Sequence, residues 1–269
     1  MFDLIQKILE IKELRQRIAY TLIIFAVYRL GTHIPVPGVD TAALFNYFNS
    51  SGGVLFNIYN LFSGGALGRL SVFALGIMPY ISAAIIMQLL TAVIPTLEKL
   101  QKEEGDYGRW KISQYTRYLT IAIAGFQSFA LSVWISNIRT ETGQALISES
   151  AFLFIFMTTF IITIGTVFLM WLGEKITEFG IGNGISMIIL ASIVARIPNA
   201  VISTYEQLRA GSLPVFKVAT AVLIIIIVVA GIIYIQEAER RIPIQYARRS
   251  SAISATATYL PLKLNPSGV

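Results

Sequence analysis

The sequence contains no cysteine, which excludes disulfides, thiolate metal sites and cysteine nucleophiles. Its one histidine, His33, cannot build an imidazole cluster for a metal and reads as an interfacial residue at a helix end. No cofactor is expected. Charge is scarce: 13% of residues are charged against 55% hydrophobic, with a mean hydropathy of +0.68, where soluble chains carry about 25% charged residues. This composition is that of an all-α polytopic membrane protein. All carboxylates fall in predicted loops or at span ends, so no span interior holds a carboxylate of the kind that ion-coupled transport uses. No span holds a Ser/His or paired-Asp arrangement either, so the chain does not read as a hydrolase or as any other enzyme.

What is present is a series of long apolar runs. Residues 1–17 place Leu4, Ile8, Ile11 and Ile18 at helical spacing among Lys7, Lys12, Arg15 and Arg17, predicting a cytosolic amphipathic helix. Six spans follow: Leu14–Ile34, Leu70–Leu97, Tyr118–Trp134, Phe152–Leu172, Ile185–Ile202 and Val215–Ile235. Pro35 and Pro37 end the first, and Pro198 kinks or ends the fifth. Residues 40–58 read as a polar-flecked loop and 98–117 as a charged loop.

Orientation comes from the basic residues of the short loops. Fifteen of the 21 Lys and Arg residues fall on one side, in the N-terminus and in segments 98–117, 173–184 and 237–269; these segments are therefore cytoplasmic. The net charge of +6 is thus mostly a topology signal rather than a nucleic-acid footprint.

Asn60 to Leu97 organises the rest. Its first part, Asn60–Arg69, carries Gly64, Gly65, Gly68 and Arg69 and is too polar and flexible to face lipid, while Leu70–Leu97 is apolar and long enough to span. Such a half-segment implies a neighbouring cavity or pore. Ile77 and Ile81 lie one turn apart on the second span, and Ile185 and Ile189 repeat that spacing on the fifth. Spacing alone allows lipid-facing or core positions; the alternative is a constriction of branched side chains that excludes water by dewetting. The G-x-G-x-G of 180–184 lacks the preceding strand and lysine of a phosphate cradle. A transporter with a broken helix and a purely structural scaffold are the competing classes.

The segments ALGIMPYISAAIIMQLL (74–90) and WLGEKITEFGIGNGISMII (171–189) resemble the two signature segments of the SecY family, the central channel subunit of the bacterial Sec protein translocase. LGTHIPVPGVD (30–40), NLFSGGAL (60–67), WKISQYTRY (110–118) and YLPLKLNPSGV (259–269) resemble it in the same order. The resemblance implies the first half plus the sixth helix of a ten-helix fold. Residues 18–202 would be its N-terminal half with spans one to five, 215–235 the sixth span, and 236–269 a cytosolic loop leading to a seventh. It implies a protein-conducting channel in the bacterial inner membrane that passes unfolded secretory polypeptides and releases apolar segments sideways into lipid.

Residue by residue, the resemblance assigns Ile77, Ile81, Ile185 and Ile189 to a pore ring. It assigns Asn60, Leu61, Phe62, Ser63, Gly64, Gly65, Ala66, Leu67, Gly68 and Arg69 to a plug half-helix. Ser82 and Gln127 would stand at a lateral gate, and Arg240, Arg241, Arg248 and Arg249 would dock the SecA ATPase or the ribosome. The implied partners are SecE, SecG, SecA, the ribosome, signal sequences, secretory polypeptides and membrane lipid. Two departures stand out: the sequence stops at Val269, where the family continues into further spans, so a truncated or split chain is expected; and SSAISATAT (250–258) replaces a glycine- and arginine-containing loop tip.

Overall fold

A computed structural model describes residues 11–51, 54–138, 147, 150–243 and 259–263. Two compact units divide the chain, residues 1–199 and 200–269. The first unit is helical. Its elements are α1 (Lys12–Gly31), α2 (Thr41–Ser51), α3 (Val54–Phe62), α4 (Met78–Val93), α5 (Pro95–Lys102), α6 (Gly105–Asn137), α7 (Ala151–Phe179) and α8 (Gly184–Val194). Helix α9 (Ile197–Arg209) runs across the division. The second unit holds α10 (Val215–Glu237) and the strands β1 (Glu239–Pro243) and β2 (Tyr259–Lys263), which pair antiparallel with Arg240 opposite Leu262 and Arg241 opposite Pro261.

Helices α6, α7 and α10, together with the stretch Gly184–Arg209, are long and apolar enough to cross a membrane. The pair α4 and α5 makes a fifth if it counts as one span bent by 100°. Among the described residues, four helices meet this length and composition test, or five with the bent pair, beside the six spans expected. Helix α1 has 20 residues but carries Lys12, Glu13, Arg15, Arg17 and Arg29. It is continuous from Lys12, so residue 17 is not an element boundary, and residues 1–10 lie outside the described residues.

Three local rules account for where the boundaries differ from the sequence reading. The second span does not begin at Leu70: successive turns run to Ile77, and the helix starts at Met78 with Pro79 in its first turn. It does not reach Leu97, because Ile94, preceding Pro95, is extended (φ −94°, ψ 113°) and the chain turns sharply into α5. The break in the fifth span falls at Ala195 and Arg196, ahead of Pro198, which sits in the first turn of α9. The polar-flecked stretch 40–58 contains α2 and most of α3, whose Leu44, Phe48 and Phe56 belong to one apolar cluster with Leu70, Ile135 and Phe154. Part of the charged loop 98–117 is likewise the N-terminal extension of α6.

The α6–α7 contact rests on small residues. Thr116, Thr120, Ala124, Ser128 and Ser132 recur every four residues on the buried face of α6, so the two backbones can approach closely. Ser128 Oγ lies 2.9 Å from Thr163 Oγ1 and Ser132 Oγ lies 3.0 Å from Thr159 Oγ1, bonding the helices without charge.

Candidate functional site

Two helix starts bring the isoleucines together. The last turn before α4 carries Ile77, buried at 4% exposure, and the first turn of α4 carries Ile81. Helix α8 begins at Gly184 because the Asn183 side chain accepts hydrogen bonds from the backbone N–H groups of Ile185 and Ser186. All four of Ile77, Ile81, Ile185 and Ile189 belong to one apolar cluster, with Ile24, Tyr28, Ala66 and Leu169. Ile77 is a core member, and the other three are partly buried at its margin.

Three amides of the 180–184 loop are already engaged: the Ile176 carbonyl accepts from Gly180, Thr21 Oγ1 from Ile181 and Thr177 Oγ1 from Gly184. They form a tight connection between α7 and α8, not a phosphate cradle. Beside Ile185 opens a cavity of about 600 Å³ whose lining includes Tyr80, Ser113, Arg117, Glu174, Lys175 and Asn183. Across it Arg117 Nε bonds Glu174 Oε1 at 2.7 Å. The apolar cluster and this polar-lined cavity thus adjoin at Ile185.

The segment Asn60–Arg69 is not a half-helix throughout. Only Asn60, Leu61 and Phe62 belong to α3; Gly64 (φ +66°) and Gly65 (φ +89°) take a left-handed backbone that ends it, and turns continue through Arg69. The turns are nonetheless fixed. Asn60 Oδ1 accepts from the Gly68 N–H at 3.0 Å, and Ser63 Oγ accepts from the Leu67 N–H at 3.2 Å. Neighbouring elements hold the segment from outside: the Tyr28 hydroxyl lies 3.2 Å from the Ser63 carbonyl and 2.6 Å from Ser192 Oγ, and Arg29 Nη1 donates to the Gly64 carbonyl at 3.2 Å. A Cβ on Gly64 would lie 3.0 Å from the Tyr28 hydroxyl, so a side chain there would crowd this junction.

Tyr28, Arg29 and Ser192 were not anticipated from sequence. The available signal was weak: a tyrosine and a serine inside apolar runs, 164 positions apart.

Ser82, on α4, and Gln127, on α6, are both half-buried, on helices that pack together. No hydrogen bond joins them among the described residues, and Gln127 Oε1 is buried without a partner. In the second unit Arg240 and Arg241 lie on β1, whereas Arg248 and Arg249 fall outside the described residues.

Comparison with known proteins addresses the whole arrangement. A SecY family model matches residues 71–269. The Aquifex aeolicus protein translocase subunit SecY is 48% identical over 100% of this chain, which spans 63% of that relative's length. A solved structure described as that of a protein conducting channel matches with a TM-score of 0.62 at 20% identity, over 93% of this chain and 52% of its own. Another, described as showing that the SecY plug domain stabilises the closed state and maintains a membrane seal, matches with a TM-score of 0.60 at 20% identity, over 93% and 52%. The structural likeness reports a shared fold with these channels, and the sequence likeness reaches further: the chain belongs to the SecY family.

Proposed function

We propose that this chain contributes the wall of a protein-conducting channel in the bacterial inner membrane, with its N-terminus in the cytoplasm. Unfolded secretory polypeptides pass through it and apolar segments leave sideways into lipid. The observation that carries this reading is the gathering of Ile77, Ile81, Ile185 and Ile189 in one apolar cluster that also includes Ala66 of the glycine-containing segment. Branched aliphatic side chains exclude water from a narrow passage, because a wetted constriction of that size loses more water–water hydrogen bonds than an apolar wall returns. They also yield to any passing sequence, since they offer no hydrogen bond that one residue would satisfy better than another.

In this reading Asn60–Arg69 is the plug, held by hydrogen bonds, one of them from the Arg29 guanidinium, rather than by ion pairs. A neutral bond contributes about 1 kcal/mol and one from a charged donor about 1.5–3 kcal/mol, a size that an advancing polypeptide can replace. Ser82 and Gln127 stand at the lateral gate. The buried, unpaired Gln127 Oε1 supports a surface that changes partners. Arg240, Arg241, Arg248 and Arg249 provide the cytosolic docking charge for SecA or a ribosome, and SecE and SecG complete the assembly. No covalent bond is made or broken by the chain.

The test is a photocrosslinker at Ile189, in the channel assembled with its partner subunits, with a secretory polypeptide stalled in transit. An adduct that disappears when the signal sequence is deleted is the expected result. Crosslinks confined to lipid or neighbouring helices would return Ile185 and Ile189 to ordinary packing.

A further inference from the structure

Two hydroxyl groups and two carbonyls meet beside the Asn60–Arg69 segment. The Tyr28 hydroxyl, on a residue only 2% exposed, lies 2.6 Å from Ser192 Oγ and 3.2 Å from the Ser63 carbonyl. Ser192 Oγ in turn lies 2.8 Å from the Ile188 carbonyl of its own helix. Each hydroxyl has one hydrogen to give and can still accept.

Two complete arrangements therefore exist. In the first, Ser192 donates to Tyr28 and Tyr28 donates to the Ser63 carbonyl. In the second, Tyr28 donates to Ser192 and Ser192 donates to the Ile188 carbonyl. Neither leaves a buried hydroxyl hydrogen without an acceptor. The Ile188 carbonyl also serves the α8 backbone ladder, so it does not depend on Ser192. The Ser63 carbonyl accepts from the Ala66 N–H as well, at 3.2 Å, so it is not orphaned when Tyr28 turns away.

We infer that Tyr28 and Ser192 form a reversible latch for the glycine-containing segment, a pair of positioning residues that lets the segment leave without stranding a buried donor. The inference rests on reading Asn60–Arg69 as a plug. Withdrawing a hydrogen-bonded segment from a protein interior ordinarily leaves its former donor unsatisfied, which opposes the movement. Here the Tyr28 hydrogen swings to Ser192 instead. The latch also lies beside the isoleucines: Ser192 follows Ile189 by three positions and Ile185 by seven on α8, one short helix, so the acceptor stays next to Tyr28 while the segment leaves. Gly64 lets the segment approach this closely, since its Cβ would stand 3.4 Å from Ser192 Cα.

The two residues thus have opposite roles. Tyr28 holds the closed state, whereas Ser192 receives the Tyr28 hydrogen in the open one. In the assembled translocon carrying this chain, reconstituted in liposomes without substrate, Tyr28→Phe keeps the ring stacked near Phe73 but loses the bond to Ser63. Its ion leak should rise about five-fold, the equilibrium equivalent of one hydrogen bond. Ser192→Ala leaves Tyr28 bonded to Ser63 only while closed and strands it on opening. Its leak should fall to or below the wild-type level, and the lag before translocation of a secretory substrate should lengthen. Deletion of Gly64–Gly68 is measured alongside. If the deletion raises the leak while the two substitutions act in the same direction or not at all, the latch is wrong and the plug reading survives. If the deletion leaves the leak unchanged, the plug reading fails and the latch with it.

Discussion

Gly184 and Gly173 meet backbone to backbone: a Cβ placed on Gly184 would stand 1.8 Å from the Gly173 carbonyl oxygen. That contact sets the approach of α8 to α7, and Ile185 is the next residue. Alanine at 184 has no room, because the obstacle is backbone and cannot rotate aside. Gly184→Ala is expected to destabilise the protein by about 1–3 kcal/mol, as overpacked sites do. Thermal unfolding of the purified protein in detergent measures this, and an unchanged midpoint would show that the helices part without strain.

Ile188 and Ile189 are adjacent on α8 but face different environments. Ile188 is 1% exposed in the apolar cluster, whereas Ile189 is partly buried at its edge. Ile188→Ala should cost about 2–5 kcal/mol, the range for truncating a buried isoleucine. Ile189→Ala should cost less than half as much but increase ion leak, because it widens the proposed constriction. The reverse ranking in stability would mean that Ile189, not Ile188, anchors α8.

Much of this architecture is legible in the sequence because membrane helices are written as contiguous apolar runs. The runs ending in α6, α7 and α10 need no tertiary information. The i, i+4 isoleucine pairs are also visible, but that Ile77 and Ile185 share a cluster is a long-range fact that spacing cannot supply. Two misses were local and avoidable. Pro95 lies inside an apolar run, where its effect on the preceding residue outweighs hydropathy. The asparagines and serines of 41–62 obscured the helically spaced Leu44 and Phe48. Pairing of β1 with β2 across 244–258, and the contact of Tyr28 with Ser192, depend on chain closure that no local pattern encodes.

The Arg117–Glu174 bond joins α6 to α7 at 2.7 Å, yet the two side chains are 40% and 29% exposed. Water and salt screen such a pair, so its coupling in a double-mutant cycle of Arg117→Gln and Glu174→Gln should be below about 1 kcal/mol. It should shrink further between low and high ionic strength. A coupling well above that bound, insensitive to salt, would place the pair in a drier environment than the cavity beside it implies.

Gln127 presents the opposite situation, a polar group whose buried carbonyl oxygen has no partner. An unsatisfied buried acceptor costs about 1–3 kcal/mol, so an apolar side chain of similar size should stabilise the resting protein. Gln127→Leu is therefore expected to raise the unfolding midpoint. If Gln127 stands at the lateral gate, the same substitution seals that surface with apolar contacts that opening must break. Membrane insertion of a marginally apolar test segment through the assembled channel should then fall, while export of a fully hydrophilic mature domain changes less. Stabilisation with unaltered insertion would mean that Gln127 is an ordinary packing defect; loss of stability would mean that its amide makes a bond in the assembled channel that leucine cannot replace.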